Sequence, residues 1–412
     1  MARISSTLNR DIKIISLVCF PHMMSHMYWL VIPPMFPILK QVFSLNNTEA
    51  GLIVTVFATA TTIAQTPVGF LVDRIGARTV LICGLALEAV AIGAFGLVDL
   101  YWHMLPLAFI AGLGHTVFHP ADYAILSARV SESRMGRAFS LHSASGYVGF
   151  AIAPIYMVWV AEIWGWRTSF LSIGAIGVIV ALILLSQSQM LNDLSEKRAA
   201  GSNTPETKKS QKSQAPMSLT DGTKLLLSLP IMMCFLYFVL HQMGGGGLRS
   251  FLVVALGDLH GTPALSAATA LSAFTVGSVG GILSGGFVAD RFGPRITTAF
   301  ATLVPAAILI ALLGSFDIRG SLLIAMLALS GFLIGLLIPS RDLLLRSVTP
   351  PGSMGKVMGF ASTGSNLGGA LIPVVIGYAM DTAGPEWLFW ISALFVGAAF
   401  LTFVTAKSKY GG

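Results

Sequence analysis

Imidazole and carboxylate side chains recur at helical spacing inside long apolar runs of this 412-residue sequence. His22 and His26 are four residues apart, so both would lie on one face of a helix. His115, His119 and Asp122 follow the i, i+4, i+7 spacing of a second stripe on a single face. Groups of this kind can carry protons, bond to other polar side chains or bind a metal ion.

A second set of polar residues lies in later apolar runs and is rich in cations and amides. Arg249 closely follows the glycines Gly244–Gly247, and Arg341 directly precedes Asp342. Because glycine weakens helices, we expect unwinding at the glycine run, with bare N–H groups that help Arg249 to bind an anion. The alternative is a hinge with Arg249 in an ion pair, while Asp342 is expected to neutralise Arg341. The residues assigned to substrate binding are Arg249, Arg341, His241, Gln242, Asn366 and His26.

The elements that must position these residues are membrane helices. The chain is 55% hydrophobic and 10% charged, with a mean hydropathy of +0.79, whereas soluble domains are about 25% charged. Lipid must therefore cover its surface, and a membrane helix needs about 20 apolar residues. Twelve such runs lie at approximately 14–39, 49–72, 79–98, 103–128, 138–160, 167–189, 224–256, 264–288, 296–315, 320–345, 356–379 and 386–406.

Six runs lie on each side of a polar segment, which divides the chain into three parts. We expect an N-terminal six-helix bundle at 1–190, a disordered cytoplasmic linker at 191–223 and a C-terminal six-helix bundle at 224–412. With the N-terminus inside, twenty of the 25 basic residues lie on the cytoplasmic side and three on the other. This bias predicts cytoplasmic termini and explains a pI of about 9.4 without a nucleic-acid partner.

The two halves repeat one another. The segment 69–78 (GFLVDRIGAR) returns as 286–295 (GFVADRFGPR), and Gly112 and Pro120 match Gly331 and Pro339. The G-x-L-x-D-R-x-G-x-R pattern of the first copy resembles the signature loop of the major facilitator superfamily, and the resemblance covers almost the whole chain. The F-H-P at 118–120 looks like the fosmidomycin-resistance branch of that superfamily. The resemblance implies a cytoplasmic gate formed by Gly69, Asp73, Arg74, Gly76, Arg78, Asp290 and Arg291.

The resemblance also implies an all-α fold of twelve membrane helices, whose first, fourth, seventh and tenth helices line a central cavity. A small organic solute, which we expect to be anionic, would cross the cytoplasmic membrane by alternating access, coupled to protons. The proton-coupling residues would be Asp122, His119, His115 and His22, whereas Glu88 is expected to be an isolated structural carboxyl. We expect a monomer that uses no cofactor.

Several alternatives stay open for the histidine stripes and for the function. The imidazoles could serve only as polar packing between helices, and the runner-up function is a proton-driven efflux pump for a drug or antimicrobial. In a different class, a metal-ion transporter or channel would use His22, His26, His115, His119 and Asp122. We assign no metal ligands, since no paired cysteines or methionine-rich pore motif accompany the histidines. The sequence contains no P-loop, nucleophile elbow or H-E-x-x-H motif, so we do not expect an enzyme.

Overall fold

The computed structural model describes residues 2–192, 219–350 and 353–406, and within these ranges every regular element is a helix. The predicted linker, 191–223, lies mostly outside the described residues. The N-terminal helices are α1 (Ala2–Trp29), α2 (Phe36–Phe43), α3 (Asn47–Ile75), α4 (Ala77–Ala94), α5 (Tyr101–His115), α6 (Phe118–Arg129), α7 (Met135–Trp164) and α8 (Trp166–Ser186). The C-terminal helices are α9 (Leu219–Leu226), α10 (Leu229–His260), α11 (Ala264–Phe292), α12 (Ile296–Ser315), α13 (Gly320–Val348), α14 (Met354–Thr382) and α15 (Trp387–Thr405).

These helices have the length and apolarity of membrane spans. Among the described residues eleven segments could cross a bilayer, and a twelfth is reached if the bent pair Asn47–Gln65 and Pro67–Ile75 is one span. The bend of 55° precedes Pro67, which lacks the N–H of a helical hydrogen bond. Large apolar side chains such as Phe70 and Phe287 are 72% and 80% exposed, as expected of helices whose outer faces meet lipid.

Contacts divide the chain into two compact units. The first contains Met1–Ser44 and Leu52–Asn203, and the second contains Leu45–Gly51 and Thr204–Gly412. In the first unit α1 packs on α7 and α4 packs on α5 and α8. In the second unit α10 packs on α14, while α12 packs on α13 and α15. Helices at equivalent positions of the two repeats therefore pack in the same way, which is the pseudo-symmetry that the repeat predicted.

The repeat is visible even in single contacts. A Cβ added to Gly112 would overlap the carbonyl oxygen of Phe57, and one added to Gly331 would overlap the carbonyl oxygen of Phe274. The absence of a side chain lets two helices touch along their backbones, which is common for membrane helices. Each unit therefore uses a glycine at the same place to bring the same pair of helices together.

The fourth predicted span is divided by a two-residue interruption. Instead of one helix over 103–128, α5 ends at His115 and α6 begins at Phe118. Pro120 explains the interruption, because it has no N–H to bond to the carbonyl of Thr116, four residues earlier. Thr116 and Val117 keep right-handed helical backbone angles, so α5 and α6 together still form one candidate membrane span, Tyr101–Arg129.

Candidate functional site

Three buried side chains of the first unit meet at one carboxylate oxygen. His142 Nε2 of α7 lies 2.9 Å from Asp122 Oδ2 of α6, in a hydrogen bond. His22 Nδ1 of α1 lies 3.2 Å from the same oxygen. The exposed fractions of the Asp122, His142 and His22 side chains are 0%, 1% and 2%. We call these three residues the His–Asp cluster.

The imidazole rings of the cluster are stacked, and two further histidines lie beside them. The centroids of the His22 and His142 rings are 3.6 Å apart, with 25° between the ring planes. His26 lies 4.6 Å from His22, and His119 lies 5.2 Å from His22 and 6.2 Å from His142 between ring centroids. His119 is exposed, so it connects the buried cluster to the surface of the unit. Four imidazoles thus form one group of rings, and two of them contact the buried Asp122 carboxylate.

The hydrogen-bonding capacity of the cluster is only partly used. Asp122 Oδ1 and the Nδ1 atoms of His22, His26 and His142 are buried, and none has a hydrogen-bond partner among the described residues. His22 Nδ1 is close to Asp122 Oδ2, but its direction lies outside hydrogen-bond geometry. Unpaired buried polar atoms are uncommon and costly in native proteins. These atoms are therefore candidates for a proton or a bound ion.

Small residues of α7 allow the cluster to assemble. A Cβ added to Gly146 would lie 2.8 Å from His26 Nε2, and one added to Gly149 would overlap the carbonyl oxygen of Met23. A larger side chain at either glycine would push α7 away from α1. Because His22 is on α1 and His142 is on α7, the close approach of these helices is what brings both rings to Asp122.

His115 belongs to a separate pair. Its Nδ1 lies 2.9 Å from Glu88 Oε1 of α4, and the Glu88 side chain is fully buried. The rings of Trp29 and Phe57 lie 5.0 and 5.3 Å from the His115 ring. The expectation of an isolated Glu88 was therefore wrong, because an imidazole from the next span reaches it.

The sequence predicted part of the His–Asp cluster. It selected His22, His119 and Asp122, which the structure brings close together, and His115, which the structure places with Glu88. It gave no role to His142, the residue that bonds to Asp122. The only signal for His142 was an imidazole within an apolar run, because helical spacing says nothing about partners on another helix.

Both arginines of the second unit have polar partners. Arg341 of α13 donates to Asp342 Oδ1 from Nε at 3.0 Å, with its Nη2 at 2.9 Å from the same oxygen. Its guanidinium lies 4.1 Å from the centre of the Phe238 ring, in a cation–π contact. The predicted pairing of Arg341 with Asp342 is confirmed. Arg249 of α10 donates from Nη2 to the neutral Gln242 Oε1 at 3.2 Å, so it has a polar partner, and its role in anion binding stays a prediction.

Other predicted substrate contacts lie on α10 and α14. His241 stacks on Tyr237 with 5.6 Å between ring centroids and 16° between ring planes. Both Arg249 and Arg341 are close enough to His241 to interact with it electrostatically. Asn366 is half-buried on α14, and within the described ranges its side chain has no recorded hydrogen bond. Cationic and amide groups are therefore concentrated near His241 in the second unit.

The expected unwinding at Gly244–Gly247 was wrong. Helix α10 runs without interruption from Leu229 to His260. A Cβ added to Gly244 would lie 2.7 Å from Val396, and one added to Gly247 would lie 3.0 Å from the Ser392 hydroxyl. The glycines are thus a packing face against α15, where small residues are favourable in membrane helices.

The predicted gate loops have similar turns in both units. Gly76 and Gly293 have φ values of 88° and 66°, which favour glycine, and each ends the helix before it. A Cβ added to Gly69 would meet nothing within 4 Å, so this glycine makes no close helix contact in the structure. Asp73, Arg74, Asp290 and Arg291 are exposed, and Arg78 is half-buried. Their gating role stays a prediction.

Comparison with known proteins decides the family. The model of the Major Facilitator Superfamily matches residues 18–311 and 234–410. The chain belongs to the Major Facilitator Superfamily. It is a multi-pass membrane transporter, and the prediction from the signature loop is confirmed. The fold also matches that of a bacterial homologue of the human lysosomal transporter Spinster in an inward-facing, occupied conformation, with a TM-score of 0.74 over 96% of both chains at 16% identity.

The chain is also similar to two proteins from Escherichia coli K12. The probable L-galactonate transporter is 26% identical over 35% of this chain, a match that spans only 32% of that relative. The fosmidomycin resistance protein is 22% identical over 96% of this chain and 93% of that protein. The second similarity agrees with the resemblance of the F-H-P at 118–120 to that branch.

Proposed function

We propose that this transporter moves a small organic anion across the cytoplasmic membrane by alternating access, and that Asp122 couples the movement to protons. The observation that carries the proposal is the shared position of Asp122 Oδ2, at 2.9 Å from His142 Nε2 and 3.2 Å from His22 Nδ1. Ionisable groups within membrane spans are expensive and mark transport pathways and proton relays. Imidazole is suited to the exchange because its ordinary pKa is close to physiological pH.

The proton would move between the Asp122 carboxylate and the imidazoles that contact it. A proton on His142 makes an ion pair with the carboxylate, and a proton on Asp122 leaves both groups neutral. His119 is exposed and 6.2 Å from the His142 ring, so it can receive a proton from the surface of the unit and pass it inward. Entry or exit of a proton changes the net charge of the cluster, which would link proton movement to the state of the transporter.

An anionic substrate is supported by the charges of the second unit. Arg249 on α10 and Arg341 on α13 place two positive charges on helices that could span the membrane. A carboxylate or phosphonate can replace the neutral amide of Gln242 as the acceptor for Arg249. The similarity to a probable L-galactonate transporter agrees with a carboxylate substrate.

Transport by purified protein in proteoliposomes tests this proposal. A panel of carboxylates, phosphonates and amines is offered with and without a pH gradient. Wild type should accumulate an anion only with the gradient, whereas Asp122→Asn should lose accumulation but keep counterflow exchange, which needs no net proton movement. Asp99→Asn is the matched control, because Asp99 is 82% exposed and pairs with Arg167 in a loop. Accumulation by Asp122→Asn at the wild-type level would disprove the coupling role.

The basic residues support cytoplasmic termini, since the excess of Lys and Arg lies on the side of the N-terminus. This orientation can be tested with cysteine labelling after Cys19, Cys83 and Cys234 are changed to serine. A membrane-impermeant maleimide should label Asp99→Cys in intact cells but should label Ser186→Cys only after lysis. The reverse pattern would overturn the orientation.

A second candidate is proton-driven export of an antimicrobial compound. It is favoured by the similarity to the fosmidomycin resistance protein over 96% of the chain. Expression in a susceptible host separates the candidates. An exporter should raise the inhibitory concentration of fosmidomycin, and this protection should disappear in Asp122→Asn. An importer of organic anions should instead support uptake of its substrate and leave the inhibitory concentration unchanged.

A further inference from the structure

The His–Asp cluster has a geometry that proton exchange does not require. One ligand atom from each of His22, His142 and Asp122 lies within 4.8 Å of the other two, and the ring nitrogens recorded next to Asp122 Oδ2 are His22 Nδ1 and His142 Nε2. Zn²⁺ binds imidazole nitrogen at about 2.0–2.1 Å and carboxylate oxygen at about 2.0–2.2 Å in tetrahedral sites, so its ligand atoms are about 3.4 Å apart. The two measured distances to Asp122 Oδ2, 2.9 and 3.2 Å, are close to this separation.

We infer that His22, His142 and Asp122 form a binding site for a divalent transition-metal ion of the Zn²⁺ class. Two imidazoles and a carboxylate are the ligand set that such ions prefer, whereas Mg²⁺ and Ca²⁺ prefer oxygen ligands. Three protein ligands leave the fourth position of a tetrahedral ion to water.

The unused atoms of the cluster point independently to a ligand. His22 Nδ1 is fully buried and close to Asp122 Oδ2 but is not aimed at it in a hydrogen bond. A metal ion beside Asp122 Oδ2 would give this nitrogen the partner that it lacks. Asp122 Oδ1 is also buried and without a partner among the described residues. An ion at this position would satisfy the carboxylate and both imidazoles together.

The surroundings indicate a reversible site. Metal-binding histidines generally donate their second ring nitrogen to an acceptor, and loss of that acceptor costs about 10–100-fold in affinity. His142 would bind the ion through Nε2, and its buried Nδ1 has no acceptor among the described residues. The ion would also be held by one carboxylate, which leaves part of its charge uncompensated. We therefore expect exchangeable binding instead of a permanent structural metal.

Metal binding and the proposed proton coupling use the same atoms. The binding of an ion stands on geometry alone, but its effect on transport rests on the proposed function. An ion on Asp122 Oδ2 and His142 Nε2 would exclude a proton from both. Zn²⁺ would therefore inhibit proton-coupled accumulation by occupying the cluster.

The test measures Zn²⁺ binding by tag-free purified protein in equilibrium dialysis, with metal analysis of both compartments. Wild type should bind one Zn²⁺ per chain in a saturable manner. Asp122→Asn and His142→Gln should each weaken binding by about 10–100-fold or more, since even indirect ligand contacts have effects of this size. Glu88→Gln and His115→Gln are matched controls, because they alter the other buried carboxylate–imidazole pair of the same unit and should bind as wild type does.

A second measurement needs no variant. Co²⁺ replaces Zn²⁺ in tetrahedral sites and then absorbs strongly in the visible range, so wild-type protein with Co²⁺ should show this absorption and lose it when Zn²⁺ is added. Absence of both saturable Zn²⁺ binding and the Co²⁺ band in wild type would overturn the inference. Unchanged Zn²⁺ binding by Asp122→Asn would also overturn it.

The two proposals can fail separately. If Zn²⁺ does not bind but Asp122→Asn loses proton-driven accumulation, only the metal site is wrong. If Zn²⁺ binding depends on Asp122 but accumulation does not, only the coupling role is wrong. Uptake of ⁶⁵Zn²⁺ into proteoliposomes by wild type would show that the ion is cargo and would overturn its role as an inhibitor.

Discussion

Replacement of Arg249 by glutamine tests whether the second unit selects anions by charge. In the structure the Arg249 guanidinium donates to a neutral acceptor, Gln242 Oε1, at 3.2 Å. An anionic substrate would replace this weak bond with a charge-assisted one, worth about 1.5–3 kcal/mol. At about 1.4 kcal/mol per tenfold change in affinity, Arg249→Gln should raise the Kd of the anion by about ten- to a hundredfold.

The assay is isothermal titration of detergent-purified protein with the anion that wild type accumulates best, starting with L-galactonate. Arg249→Lys keeps the charge but lacks the planar pair of donors, so its loss should be smaller. Arg319→Gln is the matched control, because Arg319 is 61% exposed in a loop of the same unit. Binding of the anion by Arg249→Gln with the wild-type Kd, or tightest binding of a cation, would refute the charge-selection argument.

Three further predictions concern the gate, the repeat and the second buried pair. Asp73→Asn should fold and insert as wild type does but transport more slowly in proteoliposomes, and wild-type turnover would contradict the gating role. Gly112→Ala and Gly331→Ala should each destabilise the protein by about 1–3 kcal/mol, because the new Cβ overlaps a backbone carbonyl. Thermal unfolding measures the change, and stability equal to that of wild type would show that the helices can separate without cost. Glu88→Gln weakens the bond to His115 and should lower the stability of the protein by about 1–3 kcal/mol. Proton-driven accumulation in proteoliposomes should remain, and its loss would make this pair part of the coupling path.

Much of the fold follows from local properties of the sequence. Apolar runs of about 20 residues must cross the bilayer as helices, since a backbone in lipid has to satisfy its own hydrogen bonds. The repeated loop, 69–78 and 286–295, showed two copies of one unit, and its pattern identified the family. These features need no knowledge of which helices touch, so the sequence was sufficient for them.

One error came from the use of a propensity without tertiary contacts. The glycines of Gly244–Gly247 weaken an isolated helix, but α10 packs them against α15 and remains continuous. In contrast, the effect of Pro120 on the fourth span is local, and it interrupts the helix for two residues between His115 and Phe118.

The partners of the buried charges were decided only by the tertiary structure. Helical spacing placed Asp122 on a face with His119, but its hydrogen bond goes to His142 on α7, and His22 reaches it from α1. Glu88 had no partner in its own span and found His115 on another helix. Spacing along one helix fixes which side chains share a face. Which side chain meets a buried carboxylate depends on how closely the helices approach, and here glycines such as Gly146 and Gly149 set that distance.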